Sequence, residues 1–164
     1  GCAVLIEVMR GLKRTPHEVQ FAFTVQEEVG TRGAGPSAFG LEPDLALAVD
    51  VTLTGDTPKA NKMAVSLGAG AAIKVRDSGM LADPRLVALL EQRAAEARLP
   101  VQREVLEGGS TDARSIQIAR AGVPAGCVSI PCRHIHTPSE MVDLRDVEGA
   151  VALILQTLEK PIEL

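Results

Sequence analysis

The stretch Asp44-Leu45-Ala46-Leu47-Ala48-Val49-Asp50-Val51 decides the fold of this chain. Its five consecutive apolar residues predict a buried β-strand. The strand runs directly into an acidic residue, Asp50. Because ligands of α/β proteins bind beyond the carboxyl ends of the strands, this acid is a candidate for chemistry. The alternative interpretation is a turn-forming aspartate, which is a common role for that residue.

A second apolar run, residues 19–25, leads into two neighbouring acids, Glu27 and Glu28, and then Gly30. We predict another buried strand there. Two like charges at the end of a buried strand repel each other, and burial disfavours ionisation of both. A metal ion on one acid and a proton-transfer role for the other would resolve this conflict. The alternative is that both acids face solvent, as most glutamates do.

Strand patterns and helix patterns alternate along the rest of the chain, which predicts an α/β fold with a mainly parallel mixed sheet and helices on both faces. Asp83 and Pro84 are typical of a helix start. Predicted helices cover residues 1–14, 37–39, 84–99, 112–121 and 144–158, and further strands cover 71–75, 101–106 and 126–130. No linker divides the chain, so we expect a single domain over residues 1–164.

Composition excludes several classes of function. The net charge of -4 provides no basic surface for nucleic acid, and the aromatic content of 2% leaves few rings for base stacking. No apolar stretch is long enough to span a bilayer, so we expect no membrane partner. The three cysteines lack zinc-ribbon spacing, which favours reduced thiols in a cytoplasmic protein.

Further polar candidates follow the other predicted strands. His134 and His136 stand two residues apart in a loop that we expect to be extended, so at most one of them should join a given site. Two carboxylates and one imidazole are a reasonable ligand set for zinc, cobalt or manganese. Gly108–Asp112 is a weak match to a phosphate loop and is interpreted as a tight turn in a pocket wall. Arg133 is either an anion-binding group or a solvated surface charge.

Several motifs, in order across nearly the whole chain, resemble the tetrahedral aminopeptidase family. These are the glutamyl-aminopeptidase-like dinuclear metallopeptidases, which have also been named endoglucanases. The motifs are Thr24–Ala34 (TVQEEVGTRGA), Ala48–Val51, Gly55–Pro58, Leu67–Gly70, Ser110–Ala113 and Ile130–Pro138.

The resemblance implies a role for each candidate. Glu27 would be the general base. Glu28 and His136 would share one divalent metal ion, zinc or cobalt, and Asp50 would bind a second. Thr111 and Asp112 would belong to the substrate pocket. The resemblance assigns no role to Arg133, which we keep as a candidate substrate-binding residue at the rim. The intact enzyme would remove N-terminal residues from peptides and would be a homo-oligomer.

The resemblance also implies that the site is incomplete in this chain. The family's site requires a histidine from far upstream and a bridging aspartate, and the sequence begins just after the position of that aspartate. We therefore expect the carboxyl-terminal portion of a catalytic domain, truncated at its N-terminus, with weak or empty metal sites and little activity alone. The alternatives are a non-catalytic folded fragment or scaffold, and a glycoside hydrolase that uses two acids.

Overall fold

Four strands form one mixed sheet in the computed structural model, which describes residues 1–164. The strands are β1 (Ala46–Thr52), β2 (Ala71–Arg76), β3 (Val101–Val105) and β4 (Ala125–Arg133), and their order in the sheet is β1-β4-β2-β3. β1 pairs with β4 and β2 pairs with β3 in parallel, whereas β2 and β4 are antiparallel. The short strand β5 (Met141–Val142) pairs with the end of β4. The prediction of a mainly parallel mixed sheet is confirmed.

Five helices cover the two faces of this sheet: α1 (Cys2–Gly11), α2 (Ala34–Leu41), α3 (Pro84–Ala97), α4 (Ala113–Gln117) and α5 (Leu144–Leu158). Successive strand residues point to opposite faces. Leu47 packs into the large core with α1, α3 and α5, whereas its neighbour Ala46 packs against the small cluster of α2 and α4. None of the five helices combines the length and the hydrophobicity that crossing a bilayer requires.

The elements with the clearest periodicity agree with the predictions. α3 begins after Asp83, whose carboxylate accepts a hydrogen bond from the Arg85 N–H, and it ends at Arg98 in a left-handed conformation. β4 is longer than predicted and includes Pro131. The antiparallel pairing with β2 involves only Cys127–Ser129 of β4, so the missing N–H of Pro131 costs no hydrogen bond to β2.

The prediction of a strand at residues 19–25 is wrong. Residues 13–24 make no backbone–backbone hydrogen bond, and the first such contact in this region is the Gly33 N–H to Val25 O. A strand exists only by pairing with a neighbour, and none of the four main strands is hydrogen-bonded to this segment. The apolar pattern therefore identified a segment suited to a sheet, but the segment is unpaired in this chain.

We expect Asp83→Ala to lower the free energy of unfolding by about 1 kcal/mol at pH 7, because it removes the N-cap of α3. Hydrogen bonds from Arg85 lower the pKa of Asp83 below its usual value. The contribution is therefore present above the unfolded-state pKa, about 3.9, and is lost as the pH falls below it. Urea unfolding at several pH values measures the difference. The exposed Asp44, which caps no helix, provides the control Asp44→Ala; equal effects of both substitutions would contradict the assignment.

Candidate functional site

Acidic side chains from separate parts of the chain meet at the carboxyl end of β1. Glu27, Glu28, Asp50 and Asp112 all line one cavity of about 830 Å³. This cavity, called the sheet-edge groove below, lies between residues 19–24 on one side and residues 46–50 of β1 on the other. Four of the seven residues proposed from sequence therefore line the same space.

Glu28 and His136 form the closest contact in the site. Nε2 of His136 lies 3.0 Å from Oε2 of Glu28, and both side chains are about 70% exposed (72% and 73%). Two tetrahedral ligands at about 2.0–2.1 Å from one zinc ion stand about 3.3 Å from each other. The 3.0 Å contact is of hydrogen-bond length, and a separation only about 0.3 Å larger would let the imidazole nitrogen and the carboxylate oxygen share a metal ion.

The loop that carries His136 differs from the extended loop that we expected. His134 and His136 both adopt left-handed backbone conformations, with φ of 60° and 61°. The His136 N–H donates to Oε1 of Glu140 at 2.7 Å, and Thr137 Oγ1 donates to the His134 carbonyl. The expectation of an extended loop was wrong. The two imidazoles nevertheless separate, because His136 contacts Glu28 whereas His134 lines another cavity.

Glu27 is half-buried behind this pair in a tight loop. Its carbonyl accepts the N–H groups of Gly30 and Thr31, at 3.0 and 2.8 Å. Burial, and next the negative charges of Asp50 and Asp112, raise the pKa of the Glu27 carboxyl from 4.5 to about 7. A carboxyl with such a pKa exchanges protons readily near neutral pH, which a general base requires.

Asp50 lies in β1 and is also half-buried. Its Oδ1 accepts the N–H of Val51 at 2.8 Å. Burial raises the pKa of Asp50, whereas that backbone hydrogen bond and the positive charge of Lys74 oppose the increase. Asp50 therefore lies close enough to Glu27 to raise the pKa of that carboxyl, but it makes no direct contact with Glu28 or His136.

The turn before α4 contributes Thr111 and Asp112. The Thr24 hydroxyl donates to Oδ2 of Asp112. Oδ1 of Asp112 and Oγ1 of Thr111 are buried and have no hydrogen-bond partner. Buried polar atoms usually have partners, so Oδ1 of Asp112, which lines the sheet-edge groove, is free to accept a donor from a bound molecule, whereas Thr111 is buried and lines neither cavity. No sequence signal pointed to Thr24, which fixes Asp112 beside the acids.

Arg133 is engaged elsewhere. Its guanidinium forms a bidentate ion pair with Asp56, at 2.8 and 3.1 Å, and lowers the pKa of that carboxyl. With His134 and Lys59 it lines a second cavity of about 230 Å³, which contains none of the four acids of the sheet-edge groove. The structure therefore does not bring Arg133 into the groove with the other candidates.

The donors do not form a closed metal site. No group of three or more His, Cys, Asp or Glu side chains has an arrangement that could hold a metal ion. The donor set that does fit a metal ion is the pair of Glu28 and His136. Any ion bound there would need further ligands from solvent, substrate or another polypeptide.

The sequence analysis did not predict a buried ion pair that lies inside the sheet. Lys74 of β2 and Glu104 of β3 are fully buried opposite each other, and both Lys74 Nζ and Thr52 Oγ1 donate to Oε1 of Glu104. Oε2 of Glu104 has no partner. Lys74, the one charged residue in the apolar run 71–75, was a signal for a buried partner, whereas the polar stretch Gln102-Arg103-Glu104 gave no sign that Glu104 is that partner.

Comparisons with known proteins give a consistent result. Residues 1–153 match the family described as M42 glutamyl aminopeptidase. A protein of Acetivibrio thermocellus that carries an aminopeptidase name is 46% identical over 158 residues, which cover 96% of this chain and 48% of that protein. The chain thus spans about half the length of the curated relatives that it matches.

Solved structures extend the agreement to three dimensions. The aminopeptidase APDkam598 from Desulfurococcus kamchatkensis has a TM-score of 0.95 and 41% identity, covering 98% of this chain and 46% of that one. The TET1 peptidase of Pyrococcus horikoshii has a TM-score of 0.80 and 31% identity, covering 96% and 46%. That peptidase can assemble into a tetrahedron or a large octahedral shell.

Proposed function

The chain belongs to the M42 glutamyl aminopeptidase family, and from this premise we propose that it supplies the general base and part of the metal site of an aminopeptidase. Aminopeptidases of this family are metal-dependent in general. The observation that carries the proposal is the contact between Glu28 and His136 beside Glu27, whose pKa is raised to about 7. The family favours a peptidase over the glycoside hydrolase alternative.

Glu28 and His136 would hold one divalent ion, zinc or cobalt, and Asp50 would contribute to a second. The ions, when bound, would lower the pKa of a water molecule and polarise the peptide carbonyl. Carboxylate and imidazole are both suitable donors for zinc. The exposure of Glu28 and His136 leaves them accessible to an ion from solvent.

Glu27 would move the proton in this reaction. Its carboxylate accepts a proton from the attacking water and donates it to the leaving amine. Burial keeps the ionised form of Glu27 basic enough for this exchange near neutral pH. The free Oδ1 of Asp112 would accept a donor of the peptide substrate, and Thr111 would support the pocket wall from behind it. Arg133, held by Asp56 at the second cavity, would bind an anionic group of a longer substrate.

The proposal extends from the site to the domain, the oligomeric state and the location of the protein. One core cluster of 20 buried residues supports a single domain over residues 1–164, and the half-length match supports a portion of a larger catalytic domain. Assembly of TET1 into shells supports a homo-oligomer. The free cysteines, two of them buried, support a cytoplasmic location. Because only one donor pair is assembled, the chain alone should bind metal weakly and hydrolyse peptides little, as a non-catalytic fragment would.

Cobalt binding tests the proposed metal site. We expect titration of the isolated chain with Co²⁺ to produce a visible absorption band and weak but saturable binding. Both His136→Ala and Glu28→Ala should weaken that binding at least about tenfold, because each removes one of two protein ligands. Isothermal titration with Zn²⁺ provides an independent measurement.

His134→Ala is the matched control, since it removes the other imidazole of the same loop and leaves the Glu28–His136 pair intact. We expect this variant to bind Co²⁺ as the unmodified chain does. Equal binding by the His136→Ala and unmodified chains would contradict the assignment, as would a loss confined to His134→Ala.

A further inference from the structure

The carboxylate of Glu140 holds the backbone of His136, and we propose that Glu140 is a positioning residue that keeps the His136 imidazole against Glu28. Oε1 of Glu140 accepts the His136 N–H at 2.7 Å, and Nε2 of His136 lies 3.0 Å from Oε2 of Glu28. Glu140 thus acts on the site through His136. The consequence for metal binding rests on the proposed function, whereas the effect on the loop can be measured without metal.

Residues 134–140, called the His136 loop below, connect β4 to β5 and are fixed at their base. Arg133 pairs with Met141 in the antiparallel register of the two strands. The guanidinium of Arg133 is also held by its ion pair with Asp56. Beyond this base, no backbone–backbone hydrogen bond joins residues 134–140 to one another or to the rest of the chain. The conformation of the His136 loop therefore depends on hydrogen bonds made by side chains.

Two residues of the His136 loop adopt a left-handed backbone conformation, which residues with a Cβ disfavour. They are His134 and His136, with φ of 60° and 61°. A side chain holds one backbone group of each: the Thr137 hydroxyl donates to the His134 carbonyl at 2.6 Å, and Glu140 accepts the His136 N–H. A disfavoured conformation persists only where the surroundings stabilise it, and at His136 the stabilising group is Glu140.

The exposure of the Glu28–His136 pair makes the backbone of His136 decisive. Both side chains are more than 70% exposed, so packing fixes neither of them. Exposed side chains change rotamer within nanoseconds, and a site that is already ordered avoids the cost of ordering them on binding. Groups that orient a metal ligand without contacting the ion commonly change metal affinity by about 10–100-fold. We expect an effect of this kind from Glu140.

The negative charge of Glu140 is the alternative explanation for such an effect, because a carboxylate attracts a cation whether or not it holds His136. Glutamine separates the two. Its side-chain carbonyl can accept the same N–H but carries no charge. Glu140→Ala removes both the acceptor and the charge, so the comparison of the two variants identifies which of them matters.

Amide hydrogen exchange in EDTA tests the positioning without metal. Labelling with [¹⁵N]histidine gives three amide signals, from His17, His134 and His136. Glu140→Ala should speed up exchange at the His136 amide at least about fivefold, because that N–H loses its acceptor. Glu140→Gln should keep the rate within about twofold of the unmodified chain. The His17 amide, which donates to Thr15 Oγ1, should be unchanged in both variants.

Cobalt titration of the same chains tests the consequence for metal binding. Glu140→Ala should weaken Co²⁺ binding at least about tenfold, and Glu140→Gln should stay within about threefold of the unmodified chain. Glu148→Ala is the matched control for net charge, because Glu148 is an exposed acid of α5 outside the His136 loop. This variant should bind Co²⁺ normally.

The proposal is overturned if Glu140→Ala leaves the His136 amide unchanged, or if all three histidine amides exchange faster together. It is also overturned if Glu140→Gln binds Co²⁺ as weakly as Glu140→Ala, because charge would then explain the loss, or if Glu140→Ala binds as tightly as the unmodified chain. If the unmodified chain itself binds no Co²⁺, the proposed metal site fails, and the exchange rates in EDTA alone decide whether Glu140 positions His136.

Discussion

Glu27→Gln should reduce the rate of N-terminal residue release by about 10²–10⁴-fold, the usual contribution of a general base. The reaction is measured with an aminoacyl-p-nitroanilide and Co²⁺ on this chain mixed with the purified portion of the Desulfurococcus kamchatkensis aminopeptidase that it does not match. Glutamine keeps the size of the side chain but cannot accept the proton. Metal affinity should change little, because Glu28 and His136 remain paired.

The pH profile gives this prediction a second readout. The base must be ionised, so the rate of the unmodified protein should rise with pH and reach a plateau. Burial and the neighbouring acids raise the pKa of Glu27 to about 7, and bound cations shift it downward by offsetting those charges. The rise should therefore occur below about pH 7 and be absent from the residual rate of Glu27→Gln.

The substitution Glu28→Gln distinguishes the role of Glu28 as a metal ligand from the role of Glu27 as the base. It should lower both metal affinity and rate, and added metal should restore part of the rate. Glu27→Gln should not respond to added metal. If the Glu27→Gln variant retained more than about a tenth of the rate, or recovered with metal, Glu27 would not be the base.

Periodicity correctly predicted the elements whose hydrogen bonds and apolar stripe lie within one continuous segment. α3 has its cap and apolar stripe within one segment, and its start at Pro84 was predicted correctly. β1 was predicted because five apolar residues precede Asp50. Residues 19–25 show the limit of this approach: the same kind of pattern indicates burial, but only a neighbouring chain can provide the hydrogen bonds that make a strand.

The candidate site was predictable where it depends on strand ends. Glu27, Glu28 and Asp50 follow apolar runs, and they line one groove. The position of His136 depends on a left-handed backbone and on Glu140, which periodicity does not reveal. Arg133 was predicted at a substrate rim, yet Asp56, 77 residues earlier in the chain, pairs with it. Ion pairs between residues so far apart in the sequence can be identified only from the structure.

Lys74→Met should lower the free energy of unfolding by about 3–5 kcal/mol, the usual cost of leaving one charge of a buried pair without its partner. Lys74 and Glu104 are both fully buried, and Oε2 of Glu104 already lacks a hydrogen-bond partner. After the substitution, the carboxylate would keep only the Thr52 hydroxyl. Urea unfolding at pH 7 measures the loss.

The double variant Lys74→Met/Glu104→Leu shows whether the instability of Lys74→Met comes from the unpaired Glu104 carboxylate or from altered side-chain packing. Apolar residues often replace a buried pair at little cost, so the double variant should be more stable than Lys74→Met. The control is Arg103→Met on β3, the strand of Glu104. Arg103 and Glu91 form an exposed ion pair that should contribute at most about 1 kcal/mol to the free energy of unfolding. If the double variant were as unstable as Lys74→Met, the loss would come from side-chain packing, since no uncompensated carboxylate would remain.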